Sequence, residues 1–116
     1  MPVWQDSQDY AVAIYQTTKK FPDEEKYALV DQMRRAASSV SANIAEGFGR
    51  NSETFKDTAR FYKIALGSLL ETKNFIYLSQ RLGYVTLEEG QELIDQTEAV
   101  HNQITAILKY FKENSK

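Results

Sequence analysis

Residues 22–50 read PDEEKYALVDQMRRAASSVSANIAEGFGR, and this stretch decides the fold. Pro22 suits the first turn of a helix, and the acidic side chains at 23–25 suit the positive end of a helix dipole. The glycines of Gly47-Phe48-Gly49 can end the helix in the left-handed conformation. The stretch therefore predicts one long helix, whose apolar side chains recur at helical spacing and form a core stripe: Leu29, Met33, Ala37, Val40 and Ile44.

A second stripe, of small and polar side chains, runs beside the apolar one on the same helix. Small side chains let two helices approach closely, and an amide or carboxylate that loses its water there needs a defined partner. The stripe therefore predicts a second contact, either inside the bundle or with another copy of the chain. Its five members are the candidate oligomer interface: Gln32, Ala36, Ser39, Asn43 and Glu46.

Three more segments have helical periodicity, and none alternates with the period of a strand. The first contains Ala11, Ile14, Tyr15 and Thr18, with Asp6 or Ser7 as its N-cap. The third follows an N-cap at Asn51 or Ser52 and runs to Leu82-Gly83; its apolar arc is too wide for a single neighbour. The fourth starts with a capping box, Thr86 to Glu89, and has this core stripe: Leu93, Thr97, Val100, Ile104, Ile107 and Phe111.

The order and spacing of these segments predict an all-α fold. Connections of three to six residues force consecutive helices to run antiparallel, which favours a single up-down-up-down four-helix bundle. The chain has 116 residues, enough for one hydrophobic core, and no low-complexity linker or repeat divides it. We therefore expect one domain over residues 1–116.

Composition excludes several classes of protein. The chain has no cysteine, so disulfides, thiolate metal sites and cysteine nucleophiles are excluded. The N-terminus lacks the basic and apolar regions of a signal peptide, and the longest apolar run, Ile64 to Leu70, is far shorter than the roughly 20 residues of a spanning helix. We therefore expect a cytoplasmic protein with no membrane contact.

Catalytic and metal-binding patterns are weak. His101 is the only histidine, and no second His or Cys accompanies it, so the sequence predicts neither a transition-metal site nor a cofactor. No strand-to-helix elbow supports a catalytic serine. The sequence favours a protein that is not an enzyme. An enzyme remains a third hypothesis, which would need a pocket formed by assembly around Asn43 and Glu46.

Basic side chains are concentrated in one part of the chain, although the net charge is −2. Residues 31–66 hold six basic and four acidic side chains, whereas residues 84–116 hold six acidic and three basic ones. Lys56, Arg60 and Lys63 share one face of the third helix, where they can contact phosphates. The candidate nucleic-acid-binding residues are Arg34, Arg35, Arg50, Lys56, Arg60 and Lys63. The alternative is a protein-protein interaction scaffold with no nucleic-acid role.

Several segments together resemble a known family. They are Phe21-Pro22, Glu25-Lys26-Tyr27, Leu29, Gln32-Met33-Arg34-Arg35-Ala36-Ala37, Ser39-Val40, Asn43-Ile44-Ala45-Glu46-Gly47, residues 64–69 and Leu82-Gly83-Tyr84. In this order and spacing they resemble the four-helix-bundle proteins encoded in intervening sequences of 23S rRNA genes. The family commonly has a proline where this chain has Ser41, which should leave the second helix straighter.

The resemblance implies a homo-oligomer, a ring of five copies, which would account for the wide apolar surface of the second and third helices. It also implies a relationship to the accessory variability protein of diversity-generating retroelements, which looks like a basic pentamer that binds nucleic acid and a reverse transcriptase. The acidic balance of this chain departs from that pattern. RNA, DNA and a protein are therefore the expected classes of partner.

Overall fold

The computed structural model describes residues 1–49 and 54–114 and, within them, contains helices and no strand. The elements are α1 (Pro2–Thr18), a 3₁₀ turn (Asp23–Glu25), α2 (Leu29–Gly49), α3 (Phe55–Arg81) and α4 (Leu87–Asn114). Each helix packs against two neighbours, α1 and α3 each lying against both α2 and α4. The bundle measures 49 × 24 × 19 Å. The predicted all-α four-helix bundle is confirmed.

The core follows the apolar stripes. All five side chains of the predicted α2 stripe are buried, as are the first four of the α4 stripe. Six serine or threonine side chains are buried among the described residues, and the three in α3 and α4 each donate to a carbonyl oxygen one turn earlier at 2.8 Å: Thr72 to Ser68, Ser79 to Phe75, and Thr97 to Leu93. These three hydroxyls are therefore satisfied, as most buried polar groups in a stable interior are.

The prediction that the second helix starts after Pro22 is wrong. The amides of Glu25 and Lys26 close a 3₁₀ turn on the carbonyls of Pro22 and Asp23, and α2 begins only at Leu29. The acidic side chains at 23–25 therefore serve this turn and not the dipole of α2. The connection from α1 to α2 is consequently longer than expected and spans residues 19–28.

Two predicted helix starts also need correction. The helix α1 begins at Pro2 with Met1 as its N-cap, earlier than the predicted caps Asp6 and Ser7. The N-cap of α3 is Thr54, whose hydroxyl accepts a hydrogen bond from the amide of Asp57 at 3.2 Å. The predicted caps Asn51 and Ser52 lie outside the described residues.

Glycines act differently at the ends of α2 and α3. Gly47 lies inside α2, where an added Cβ would be 3.1 Å from the Cβ of Phe61, so it allows a close approach and does not end the helix. Gly83 has a φ of +79° and ends the turn after α3, as a left-handed glycine can. The predicted Thr86–Glu89 capping box is confirmed, with bonds of 2.8 and 3.0 Å.

Candidate nucleic-acid interface

An open groove of about 730 Å³ lies between the first turns of α3 and the last turns of α4. The antiparallel pairing of these helices places residue 55 beside residue 111, where the rings of Phe55 and Phe111 stack with centroids 5.1 Å apart. The lining residues are Phe55, Lys56, Ala59, Lys63, Thr105, Leu108, Lys109, Phe111 and Lys112. We call this feature the lysine groove.

Two lysines stand on each wall of the lysine groove. Lys56 and Lys63 belong to α3 and lie roughly 10 Å apart along the helix axis at 1.5 Å per residue. Lys109 and Lys112 belong to the last turns of α4. Arg60, from the turn between Lys56 and Lys63, lies 3.7 Å from the Asp57 carboxylate and keeps 62% of its side chain exposed. The groove therefore concentrates positive charge on a chain whose net charge is −2.

The floor of the lysine groove is apolar and aromatic. Phe55 is 37% exposed, and its ring stacks on Phe111 at an interplanar angle of 24°. Tyr62 supports Phe111 from the interior with a centroid distance of 5.6 Å, and burial raises the pKa of Tyr62. Phe61 and Tyr62 are both buried. The floor is therefore held in place by packing.

The structure separates the six predicted nucleic-acid-binding residues. Arg34 faces α1: it donates to the hydroxyl of Thr18 at 2.9 Å and lies over the Tyr15 ring at 4.8 Å. Arg35 pairs with Asp31 at 3.0 Å on the outer face of α2. Both precede the C-terminal end of α2 by some 15 residues, so they lie roughly 20 Å along the axis from the groove. Arg50 lies outside the described residues.

Sequence reasoning missed Lys109 and Lys112. Counting charge over residues 84–116 averaged the acidic start of the fourth helix with its basic end and concealed both lysines. The useful signal was the predicted antiparallel pairing itself, since it brings the end of the fourth helix beside the start of the third. The groove thus joins two predicted residues, Lys56 and Lys63, to two that were not predicted.

The predicted oligomer stripe lies along the side of α2 that faces α3. Ala36 is 4% exposed in the single chain, so it belongs to the interior of the bundle. Ser39 is hydrogen-bonded to Ser68 of α3 at 3.0 Å and to Asn43 at 3.0 Å. Gln32 and Glu46 are exposed. Part of the stripe is therefore satisfied within one chain, and its two ends reach the surface.

Groups suited to catalysis or metal binding are sparse in the described part of the chain. No cluster of three or more His, Asp or Glu side chains that could hold a metal occurs among residues 1–49 and 54–114. The Nδ1 atom of His101 is buried without a hydrogen-bond partner in the same part of the chain. Over the same ranges, no helix has the length and apolar character needed to cross a bilayer.

The fold and the groove together define a small all-α four-helix-bundle protein with an open basic groove at one end. The sequence model of the 23S rRNA-intervening sequence protein family matches residues 1–106, and the chain belongs to this family. Among curated proteins, none matches the chain. Lys109 and Lys112 lie beyond the matched residues, so two of the four groove lysines lie outside the part matched by the family model.

A solved structure confirms the fold. It is the crystal structure of a protein of unknown function from the S23 ribosomal protein family of Bacteroides thetaiotaomicron. That protein is 24% identical to this chain, and the two superpose with a TM-score of 0.81 over 92% of this chain and 98% of the other. At this identity, the likeness shows the four-helix architecture.

Proposed function

We propose that this chain is a non-enzymatic, cytoplasmic binding protein that contacts the phosphates of RNA or DNA through the lysine groove. The observation that carries the proposal is the convergence of Lys56, Lys63, Lys109 and Lys112 around one open groove. Arg60 adds a fifth charge from the same face of α3. Local concentration of charge is what phosphate binding requires, because each neutralised phosphate releases condensed counterions.

Salt dependence of binding tests this proposal. With five phosphate contacts on duplex DNA, log K should fall with log salt with a slope of about −4.5, since each contact contributes roughly −0.9. The variant Lys56→Glu/Lys63→Glu should weaken binding and reduce the magnitude of the slope by about 1.8. Fluorescence anisotropy of a labelled duplex and a labelled RNA hairpin measures both quantities.

A matched variant separates the groove from overall charge. Lys19→Glu/Lys26→Glu causes the same change in net charge, and both lysines are exposed outside the lysine groove. We expect its binding curve to follow that of the wild type at each salt concentration. Equal losses in the two double variants would show that binding follows net charge, and the groove would lose its assigned role.

We also propose that the protein acts as a homo-oligomer, with five copies as the family resemblance implies. Three exposed apolar side chains support this: Ile64 and Leu78 of α3, and Leu82 at its C-cap, are between 41% and 48% exposed. Their spacing places them on one face of α3, beside the position of Ser68, which is hydrogen-bonded to Ser39 of α2. Exposed apolar side chains that share one face are typical of an interaction surface.

Light scattering after gel filtration tests the oligomer. Ile64→Glu/Leu78→Glu should reduce the particle to the 13.3 kDa of one chain while leaving the helical circular dichroism unchanged. Leu87→Glu is the control, because Leu87 is 80% exposed at the start of α4. A wild-type protein that elutes as a monomer at micromolar concentration would contradict the proposal.

A protein scaffold is the second candidate, and the other side of the bundle favours it. A groove of about 510 Å³ between α1 and α2 exposes Val12 and Tyr15. Phe48, near the end of α2, is 69% exposed. Capture of a partner that survives nuclease treatment and is lost in Val12→Glu would support this function.

A further inference from the structure

We infer that the lysine groove takes an unpaired strand of nucleic acid in preference to a duplex, with bases on the aromatic floor and phosphates at the lysine walls. The inference rests on the proposed function, because it names the class of nucleic acid that the same groove binds. The observation behind it is the aromatic floor of the groove, because binding of phosphates by the lysines does not require this floor.

The floor discriminates between the two forms of nucleic acid. Phe55, Ala59, Leu108 and Phe111 present apolar surface between the lysines. A duplex keeps its bases stacked inside and presents its phosphates outward. It would therefore neutralise the lysines and leave the apolar floor exposed to solvent. An unpaired strand offers both parts at once, since its bases have exposed π-faces and its backbone carries the charge.

The aromatic side chains are arranged as a stacking platform. Phe55 and Phe111 are nearly parallel, at 24°, and the Tyr110 ring meets Phe55 edge-on at 5.8 Å. Because Phe111 also contacts the buried ring of Tyr62, the exposed ring of Phe55 is held before a ligand arrives. A base that stacks on Phe55 would therefore extend an existing stack and order few new groups.

The polar lining predicts weak sequence preference. Among the described residues, those that line the groove include no arginine, asparagine or glutamine, the planar side chains that present two hydrogen-bonding groups to a base edge in a fixed geometry. Lysine provides a flexible point charge, which suits a backbone whose phosphates vary in position. We therefore expect the groove to bind unpaired strands of differing sequence with similar affinity.

The decisive experiment compares three ligands by fluorescence anisotropy with the full chain at one salt concentration. They are a labelled 12-nucleotide strand, an abasic strand of the same length, and the duplex of the first strand. The abasic strand keeps the phosphates and lacks the bases. One stacked base should make the normal strand bind roughly 5- to 150-fold more tightly than the abasic strand, and more tightly than the duplex.

A variant assigns the effect to the floor. Phe55→Leu keeps an apolar side chain against Phe111 and removes the aromatic face, so the ratio of normal to abasic affinity should fall toward one. Phe48→Leu is the matched control, because Phe48 is an exposed phenylalanine outside the groove. The control should keep the wild-type ratio.

The outcomes separate this inference from the proposed function. If all three ligands bind and the abasic strand or the duplex binds as tightly as the normal strand, the inference is overturned and phosphate binding stands. If none binds at low salt, both are overturned. If none of the three binds and an acidic amphipathic peptide, measured as a fourth ligand, does bind the groove, the groove is a protein-docking site and both are again overturned.

Discussion

The hydrogen bond between Tyr10 and Thr97 allows a test of how much buried polar groups and their hydrogen bonds contribute to the stability of this core. The two hydroxyls lie 2.8 Å apart, and both side chains are almost fully buried. The Thr97 hydroxyl also bonds the Leu93 carbonyl at 2.8 Å. The pair is therefore asymmetric, because Thr97 has a second partner and Tyr10 has none among the described residues.

That asymmetry sets the expected free energies of unfolding. Tyr10→Phe removes one hydrogen bond and leaves Thr97 bonded to Leu93, so it should cost about 1 kcal/mol. Thr97→Val preserves shape but leaves the Tyr10 hydroxyl buried without a partner, which should cost roughly 2 to 3 kcal/mol. The double variant leaves no unpaired group, so its loss should fall short of the sum of the single losses by about 1 to 2 kcal/mol.

Urea unfolding followed by circular dichroism at 222 nm measures these values, at one protein concentration because assembly shifts apparent stability. The slope against urea should stay constant across the four proteins if the compactness of the unfolded state is unchanged. Two results would refute the reasoning: a double variant that loses the full sum of the single losses, or a Thr97→Val that loses no more than Tyr10→Phe.

Three further predictions concern pH, capping and glycine. Burial raises the pKa of Tyr10 above its unfolded value of about 10, so the contribution of Tyr10 to stability should be fully present below pH 10 and should be lost as the pH rises further. Thermal melts of Tyr10→Phe should therefore show a smaller loss of stability above about pH 10 than the wild type. Thr54→Ala should cost about 1 kcal/mol in urea unfolding because the Asp57 amide loses its cap, whereas Thr54→Ser should cost little. Gly67→Ala should raise the free energy of unfolding by up to about 1 kcal/mol, and with it the melting temperature, since a Cβ at this helical position meets open space. Gly83→Ala should lower it, because the φ of +79° costs a side chain roughly 1 to 2 kcal/mol; equal shifts for both glycines would contradict the argument.

Local sequence patterns were sufficient to predict the helices and the core. The stripe from Leu29 to Ile44 is buried throughout, because an apolar face of a helix has to pack against its neighbours. The Thr86–Glu89 capping box formed as predicted, since its two hydrogen bonds involve only residues three apart. A structural feature can be predicted from the sequence when the residues that interact to form it lie within one helical turn of each other.

The start of α2 was not predictable in the same way. Pro22 and the acidic side chains at 23–25 are good helix-start signals, yet the helix begins at Leu29. Glu25 accepts a hydrogen bond from the Tyr84 hydroxyl at 2.7 Å, and the ring of Tyr84 packs on Phe21 at 5.1 Å. These contacts link residues about 60 positions apart, so a local pattern does not reveal them.

Prediction of the candidate site from the sequence was incomplete for the same reason, because the site depends on contacts between helices. Lys56, Arg60 and Lys63 were identified because they repeat on one helix face, whereas Lys109 and Lys112 become relevant only when α4 packs against α3. The prediction that Arg34 binds phosphate did not consider α1, whose Thr18 and Tyr15 bond this guanidinium. Charge spacing within a helix is readable from sequence, and the pairing of charges between helices requires the fold.

The two walls of the lysine groove differ in how tightly the rest of the molecule constrains them. The α3 wall is tied to the core through Ala59 and Tyr62, and it lies inside residues 1–106. On the α4 wall, Phe111 is anchored by Tyr62, while Lys109 and Lys112 are exposed. Neither lysine belongs to the hydrophobic core of the bundle. If the lysine groove binds nucleic acid as proposed, relatives with the same architecture can differ in ligand preference through these two positions, and exchange of Lys109 and Lys112 for a relative's residues should change ligand affinity while Ile107, Leu108 and Phe111 keep their packing against the core.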